Sequence, residues 1–172
     1  MKVYATRRIH EGRVLNLRLD EVDALKGGKR WVEVVEHVGG VAIVVQPDPD
    51  SIVLVRQHRH AVGEDTWEVP AGMIDPNEDP DDAAHRELIE ETGYRAESLR
   101  FLFSLYSTPG FCEERIRLYV AQGLTAGESK PDDNEAFEVR TWPIADAWAE
   151  VAADRFRDAK TQIALAWARA NV

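Results

Sequence analysis

The chain has 172 residues, 44% of them hydrophobic, a formal net charge of −10 and one cysteine. That length suits one well-formed core and is cramped for two independent domains, and no apolar run approaches the roughly 18 residues of a membrane helix. The acidic balance argues against a nucleic-acid partner, whose phosphates need clustered Lys and Arg, while a lone Cys112 excludes an intrachain disulfide and suits a reducing compartment.

The opening Met1-Lys-Val-Tyr-Ala-Thr-Arg-Arg-Ile9 lacks the apolar centre of a signal peptide, so a cytoplasmic location is expected. Alternation reads as β structure for most of the first 60 residues. Leu15, Leu17 and Leu19 alternate with Asn16, Arg18 and Asp20, and Gly27-Gly28 can turn that strand back into Trp31-Val-Glu-Val-Val-Glu-His37. Val41-Ala-Ile-Val-Val45 is apolar enough for a central strand, and Pro47-Asp-Pro-Asp-Ser51 is a turn into Ile52-Val-Leu-Val55.

A helix is expected from residue 80 to about Thr92. Asp79 is a natural N-cap, Pro80 suits the first helical position, Asp81 and Asp82 complement the dipole, and Gly93 closes the end. Ala84 and Leu88 supply a buried stripe, while Glu87 and Glu91 stack on another face with Glu90 beside them. A solvated face is the ordinary reading of such a helix. Here Glu90 and Glu91 occupy the last turn, where the dipole disfavours anions, and the three glutamates repel one another. A hard divalent ion held by carboxylate oxygens answers both problems.

Residues 99–106 and 115–120 alternate as paired strands flanking the Pro109 loop, in which Cys112 has no evident histidine partner for a nucleophilic role. Residues 123–135 read as a loop and 137–142 as a strand. Pro143 introduces a short helix through Ala153, and a last helix over 159–170 is expected to face the core with Ile163, Ala164 and Trp167.

Gly72-Met-Ile-Asp-Pro-Asn-Glu78, seven residues, and then Arg86-Glu-Leu-Ile-Glu-Glu-Thr-Gly-Tyr94 fit the pattern G-x5-E-x7-R-E-U-x-E-E-x-G-U, where U is bulky and apolar. The chain resembles the Nudix hydrolases at every fixed position of this box. The resemblance implies an α+β protein with the Nudix fold, an αβα sandwich around a mixed β-sheet. It also implies Mg²⁺, or alternatively Mn²⁺, held against the pyrophosphate of a nucleoside diphosphate derivative. Residues 40–172 would form that domain, and residues 1–39 a small N-terminal antiparallel β subdomain.

Further segments narrow the likeness. Pro109 lies sixteen residues after Gly93 in Tyr106-Ser-Thr-Pro-Gly-Phe-Cys-Glu-Glu114. With Val55-Arg-Gln-His-Arg59, Trp67-Glu-Val-Pro-Ala-Gly72 and His37-Val-Gly-Gly-Val-Ala-Ile-Val44, this is similar to the ADP-ribose pyrophosphatase subgroup. The implied reaction is hydrolysis of ADP-ribose to AMP and ribose 5-phosphate by a metal-activated water. A diphosphatase for other nucleotide sugars, such as GDP-sugars, is the alternative. A nucleotide-sensing module without catalysis is disfavoured, because Glu87, Glu90 and Glu91 are all kept and the length leaves no room for a DNA-binding domain.

The resemblance assigns metal ligation to Glu87, Glu91 and the carbonyl of Ala71, and glutamate orientation to Arg86. Candidates for the general base are Glu90 and the acidic loop 132–135, Glu135 first and Asp133 second, the latter one methylene shorter than the glutamate of some relatives. Arg59 would bind phosphate, Glu114 would lie near the substrate's terminal ribose, Gly110 would contribute to substrate binding, and Arg30 would reach the adenine end from a second protomer. His58 and His60 read as surface residues, since the box already offers oxygen ligands to a hard cation. Subgroup members exchange the N-terminal subdomain between protomers, so a homodimer is expected.

Overall fold

The computed structural model of the chain describes residues 2–129 and 138–171. Within them lie ten strands and three helices, divided between two compact units.

The first unit holds residues 1–39 and 105–116. Strands β1 (Val3–Glu11), β2 (Asn16–Asp23) and β3 (Lys29–Glu36) form an antiparallel sheet in that order. The turn between β2 and β3 is made by Gly27 and Gly28, both at positive φ (89° and 81°), where residues with a Cβ are strained. Every residue of β1 is exposed, and in β2 only Asp20 and Val22 are buried. This unit therefore has little apolar core, and side-chain pairing does part of the work. Arg18 reaches Asp20 (3.0 Å), Glu36 (2.5 Å) and Glu113 (2.7 Å). Segment 105–116 is fastened to β3 by Val35 N–H donating to the Phe111 carbonyl (2.7 Å) and Glu113 N–H donating to the Val35 carbonyl (2.9 Å).

The second unit holds residues 40–104 and 117–172. Its elements are β4 (Gly40–Val44), β5 (Ser51–Arg59), β6 (Glu64–Glu68), β7 (Ala71–Met73), α1 (Pro80–Thr92), β8 (Ser98–Tyr106), β9 (Arg115–Gln122), β10 (Glu138–Pro143), α2 (Ile144–Ala152) and α3 (Ala159–Ala170). Residues 105–106 and 115–116 of β8 and β9 belong to the first unit. The strands form one sheet ordered β10-β5-β6 and another ordered β7-β4-β9-β8. All five residues of β4 and the first five of β5 are buried, as continuous apolar runs demand. The two short strands β6 and β7 were not delimited by the sequence pattern, because Glu64-Asp-Thr-Trp-Glu68 and Ala71-Gly-Met73 carry no clear alternation.

Helix α1 has the predicted ends. The Asp79 carboxylate accepts the Asp81 N–H, and Gly93, at φ 75°, donates its N–H to the Ile89 carbonyl. Ala83, Ala84 and Leu88 pack into a cluster with Val41, Ile43, Val45, Val53, Tyr119 and Ala121. Burying Leu88 alone is worth roughly 2 kcal/mol. Pro143 introduces α2 as its N-cap, and Ala153 is its C-cap.

The buried face of α3 is Thr161, Ala164, Leu165 and Ala168. Ala164 is buried as expected, but Ile163 is exposed and Trp167 only half-buried, with the Arg100 guanidinium 5.8 Å from its ring. Three small side chains let the helix lie close to the sheet, so the seam follows 161, 164, 165 and 168 instead of the bulkier residues. No helix among the described residues is long and apolar enough to cross a membrane.

Candidate active site on helix α1

Strand β7 and helix α1 bring the box together. Strand β7 pairs antiparallel with β4 through Gly40–Met73, Val41–Gly72 and Ala42–Ala71, which fixes the backbone at 71–73 against the buried sheet. Glu87 and Glu91, one helical turn apart, both face this strand. They are 9% and 4% exposed, and a buried carboxylate is tolerated only when hydrogen-bonded or paired. Glu91 accepts the Ala71 N–H at 3.0 Å. Glu87 accepts from Arg86 at 2.6 Å, and its carboxylate lies hard against Gly72, in the space a Cβ there would fill.

Arg86 is the hub of the acidic cluster. Its Nε and Nη2 form a fork on Glu78 (2.9 and 3.0 Å), Nη1 reaches Glu87 and Glu90 (2.6 and 3.1 Å), and Nη2 also donates to the Met73 carbonyl at 3.0 Å. Glu78 additionally accepts the Asp75 N–H at 2.9 Å. Hydrogen bonds from Arg86 hold the Glu78 carboxyl below the usual range, and the surrounding carboxylates raise the guanidinium's own pKa. One guanidinium thus spaces three glutamates that would otherwise repel.

Glu87, Glu91 and the backbone at Ala71 present the donor set that suits a hard divalent cation. Among the described residues no three His, Cys, Asp or Glu side chains form a ready cage. The set assigned above uses two side chains and one carbonyl, so it needs no such cage, and the Gly72 contact keeps Glu87 against β7.

Arg59, at the end of β5, is engaged by a residue that received no role from the sequence. Its Nε and Nη2 bind the two oxygens of Glu68, each at 2.7 Å. Glu68 is only 2% exposed, and also accepts from Thr66 and Lys160. Burial by itself would raise this carboxyl, but the hydrogen bonds from Arg59 and the charges of Lys160 and Arg59 outweigh it and hold it down at about 2. Arg59 lies within the electrostatic reach of Glu91. The guanidinium edge facing Glu68 is taken, so an anion would use the opposite edge, Nη1 with the second hydrogen of Nη2. The available signal for Glu68 was a carboxylate in Trp67-Glu-Val69, between apolar neighbours, which requires cations from elsewhere in the chain.

Of the other predicted residues, Glu114, Gly110 and Arg30 belong to the first unit. Glu114 sits 3.8 Å from His37 Nδ1. That nitrogen also accepts the Gly39 N–H at 3.0 Å. Gly110 is exposed with open space where a Cβ would be, and Arg30 is exposed on β3 opposite Val22. His58 and His60 are exposed, His58 with Asp65 at 2.9 Å. Glu135 and Asp133 lie outside the described residues.

A NUDIX domain model matches residues 36–163. The chain is 41% identical over 146 residues to the ADP-ribose pyrophosphatase of Mycobacterium tuberculosis, covering 83% of this chain and 70% of the relative. It is 37% identical over 166 residues to the methanol dehydrogenase activator of Bacillus methanolicus, covering 95% and 90%. Among solved structures, an ADP compounds hydrolase superposes with a TM-score of 0.84 at 26% identity, covering 98% of this chain and 92% of that one.

Proposed function

The chain belongs to the Nudix hydrolase family, and on that premise we propose that it hydrolyses the pyrophosphate of ADP-ribose to AMP and ribose 5-phosphate. The chemistry rests on one observation: Glu87 and Glu91 converge, buried, on the Ala71–Gly72 backbone. ADP-ribose as substrate is supported by the named activity of relatives that cover most of this chain.

Mg²⁺, with Mn²⁺ as a substitute, would be held by Glu87, Glu91 and the Ala71 carbonyl, and when bound would neutralise the pyrophosphate and activate a water. The chain's own residues do the rest. Arg86 keeps Glu78, Glu87 and Glu90 in register, so the carboxylates do not splay. Arg59 turns its outer edge to phosphate. Glu135, with Asp133 and Glu90 as the other candidates, takes the proton from water as it attacks phosphorus. The P–O bond of the bridge breaks, and one product leaves as AMP and the other as ribose 5-phosphate.

Glu114 accepts hydrogen bonds from hydroxyls of the terminal ribose, Gly110 contributes to substrate binding, and Arg30 reaches the adenine end from the second protomer of a homodimer. Residues 1–39 act as the exchanged subdomain, consistent with a sheet that buries little of its own apolar surface. A cytoplasmic setting suits the lone thiol.

The test is Mg²⁺-dependent hydrolysis of ADP-ribose beside GDP-mannose, UDP-glucose and NADH, with products separated by chromatography. AMP and ribose 5-phosphate from ADP-ribose at the highest kcat/KM are expected. A flat or GDP-sugar-led profile would overturn the substrate and leave the diphosphatase chemistry in place.

A further inference from the structure

Helix α3 enters the site through its first turn. Its N-cap Asp158 accepts the Thr161 N–H at 2.9 Å and the Thr161 hydroxyl at 2.6 Å, and the Thr161 oxygen in turn accepts the Val69 N–H at 2.9 Å. Lys160, whose side chain is 12% exposed, bridges Asp158 (2.8 Å) and Glu68. The same Glu68 carboxylate holds the inner edge of Arg59.

A lone Arg59–Glu68 pair would already be neutral. A second cation on that carboxylate has two effects. It fills the last acceptor position of a group that also serves Thr66 and both Arg59 nitrogens. It also draws on the negative charge that would otherwise be spent on Arg59 alone, so the guanidinium keeps more of its positive potential for an incoming anion. Asp158 limits this gain, because it shares Lys160, caps the helix and itself acts on Arg59.

We propose that Lys160 is a positioning residue: by sharing Glu68 it fixes the Arg59 guanidinium and leaves its outer edge charged for the substrate pyrophosphate. This rests on the proposed function for its ligand. Lys160 does not touch the substrate. Its effect should appear in binding, because Arg59 grips the pyrophosphate in both ground and transition states.

The experiment compares wild type with Lys160→Met and Lys160→Arg by steady-state kinetics with Mg²⁺ and by calorimetric titration of ADP-ribose in EDTA. For Lys160→Met, KM and the metal-free Kd should each rise roughly tenfold while kcat stays within about threefold. Lys160→Arg should return both to within about threefold of wild type, since it keeps the charge on Glu68. Leu165→Ala, which removes core packing from the same helix, should lower Tm with KM unchanged. Unchanged KM and Kd in Lys160→Met, with only a Tm loss like that of Leu165→Ala, would reduce Lys160 to a structural staple and overturn the proposal. If Lys160→Met does not fold, Lys160→Gln is judged by the same thresholds. A wild type that ignores ADP-ribose counts against the substrate alone, and the comparison is then made with the nucleotide sugar it prefers.

Discussion

The Glu87 carboxylate occupies the volume that any side chain on Gly72 would need. Gly72 is therefore glycine to admit a carboxylate, and not for a left-handed backbone, since no positive φ is found there. Gly72→Ala should push Glu87 out of register and lower kcat/KM by roughly 10²-fold, the scale of a misplaced catalytic constellation. The fold should survive, because Glu87 can swing toward Arg86. A kinetic assay with a Mg²⁺ titration and a thermal melt checks both halves; near-wild-type turnover would show that Glu87 is not needed where it lies.

Glu91→Gln keeps the shape and an oxygen to accept the Ala71 N–H, but removes the charge. Turnover should fall by about 10²-fold or more with Tm within a few degrees of wild type. Full retained activity would remove Glu91 from the metal site.

Acid should weaken the protein partly through Glu68. Its pKa falls from the ordinary 4.5 to about 2 on folding, so the unfolded chain binds the proton more readily than the native one. The stabilisation is complete above about pH 4.5 and is lost as pH drops from there toward 2, amounting to about 3 kcal/mol for this nearly fully buried group. Urea midpoints measured against pH should show that acid arm, and Glu68→Gln should flatten it while lowering stability at neutral pH. An unaltered arm in the variant would assign the acid sensitivity to other carboxylates.

Gly93 closes α1 at φ 75°, and a Cβ there would come within 2.6 Å of the Ser129 nitrogen and 2.7 Å of the Gly127 carbonyl. Backbone strain and a clash with main-chain atoms add, so Gly93→Ala should cost about 1–3 kcal/mol. Denaturant unfolding measures this directly. A cost below about 0.5 kcal/mol would mean that segment 127–129 yields easily.

Much of the site was readable before folding because its signals are local. Asp79, Pro80 and Gly93 mark the ends of α1 through capping chemistry confined to a few residues. The spacing of Glu87 and Glu91 places them on one face by helical geometry alone. Chain order, strand alternation in β2 and β3 and the buried run of β4 follow from the same short-range rules.

The Glu68 network was not readable in this way. Its members come from β5, β6 and α3, and Lys160 follows Glu68 by 92 residues. No periodicity links such distant positions, and a lysine in the first turn of a helix looks like any solvated one. The inner face of α3 was similarly misplaced onto Ile163 and Trp167, because hydropathy ranks bulk above the close approach that alanines permit.

By itself the sequence determined the box helix, its caps and the family, since each depends on residue type at fixed short spacing. Only the tertiary structure decided which carboxylate is buried, which cations neutralise it and which edge of Arg59 it takes. Those outcomes depend on desolvation and on charges brought together from distant parts of the chain, and both exist only once the sheets and helices have packed.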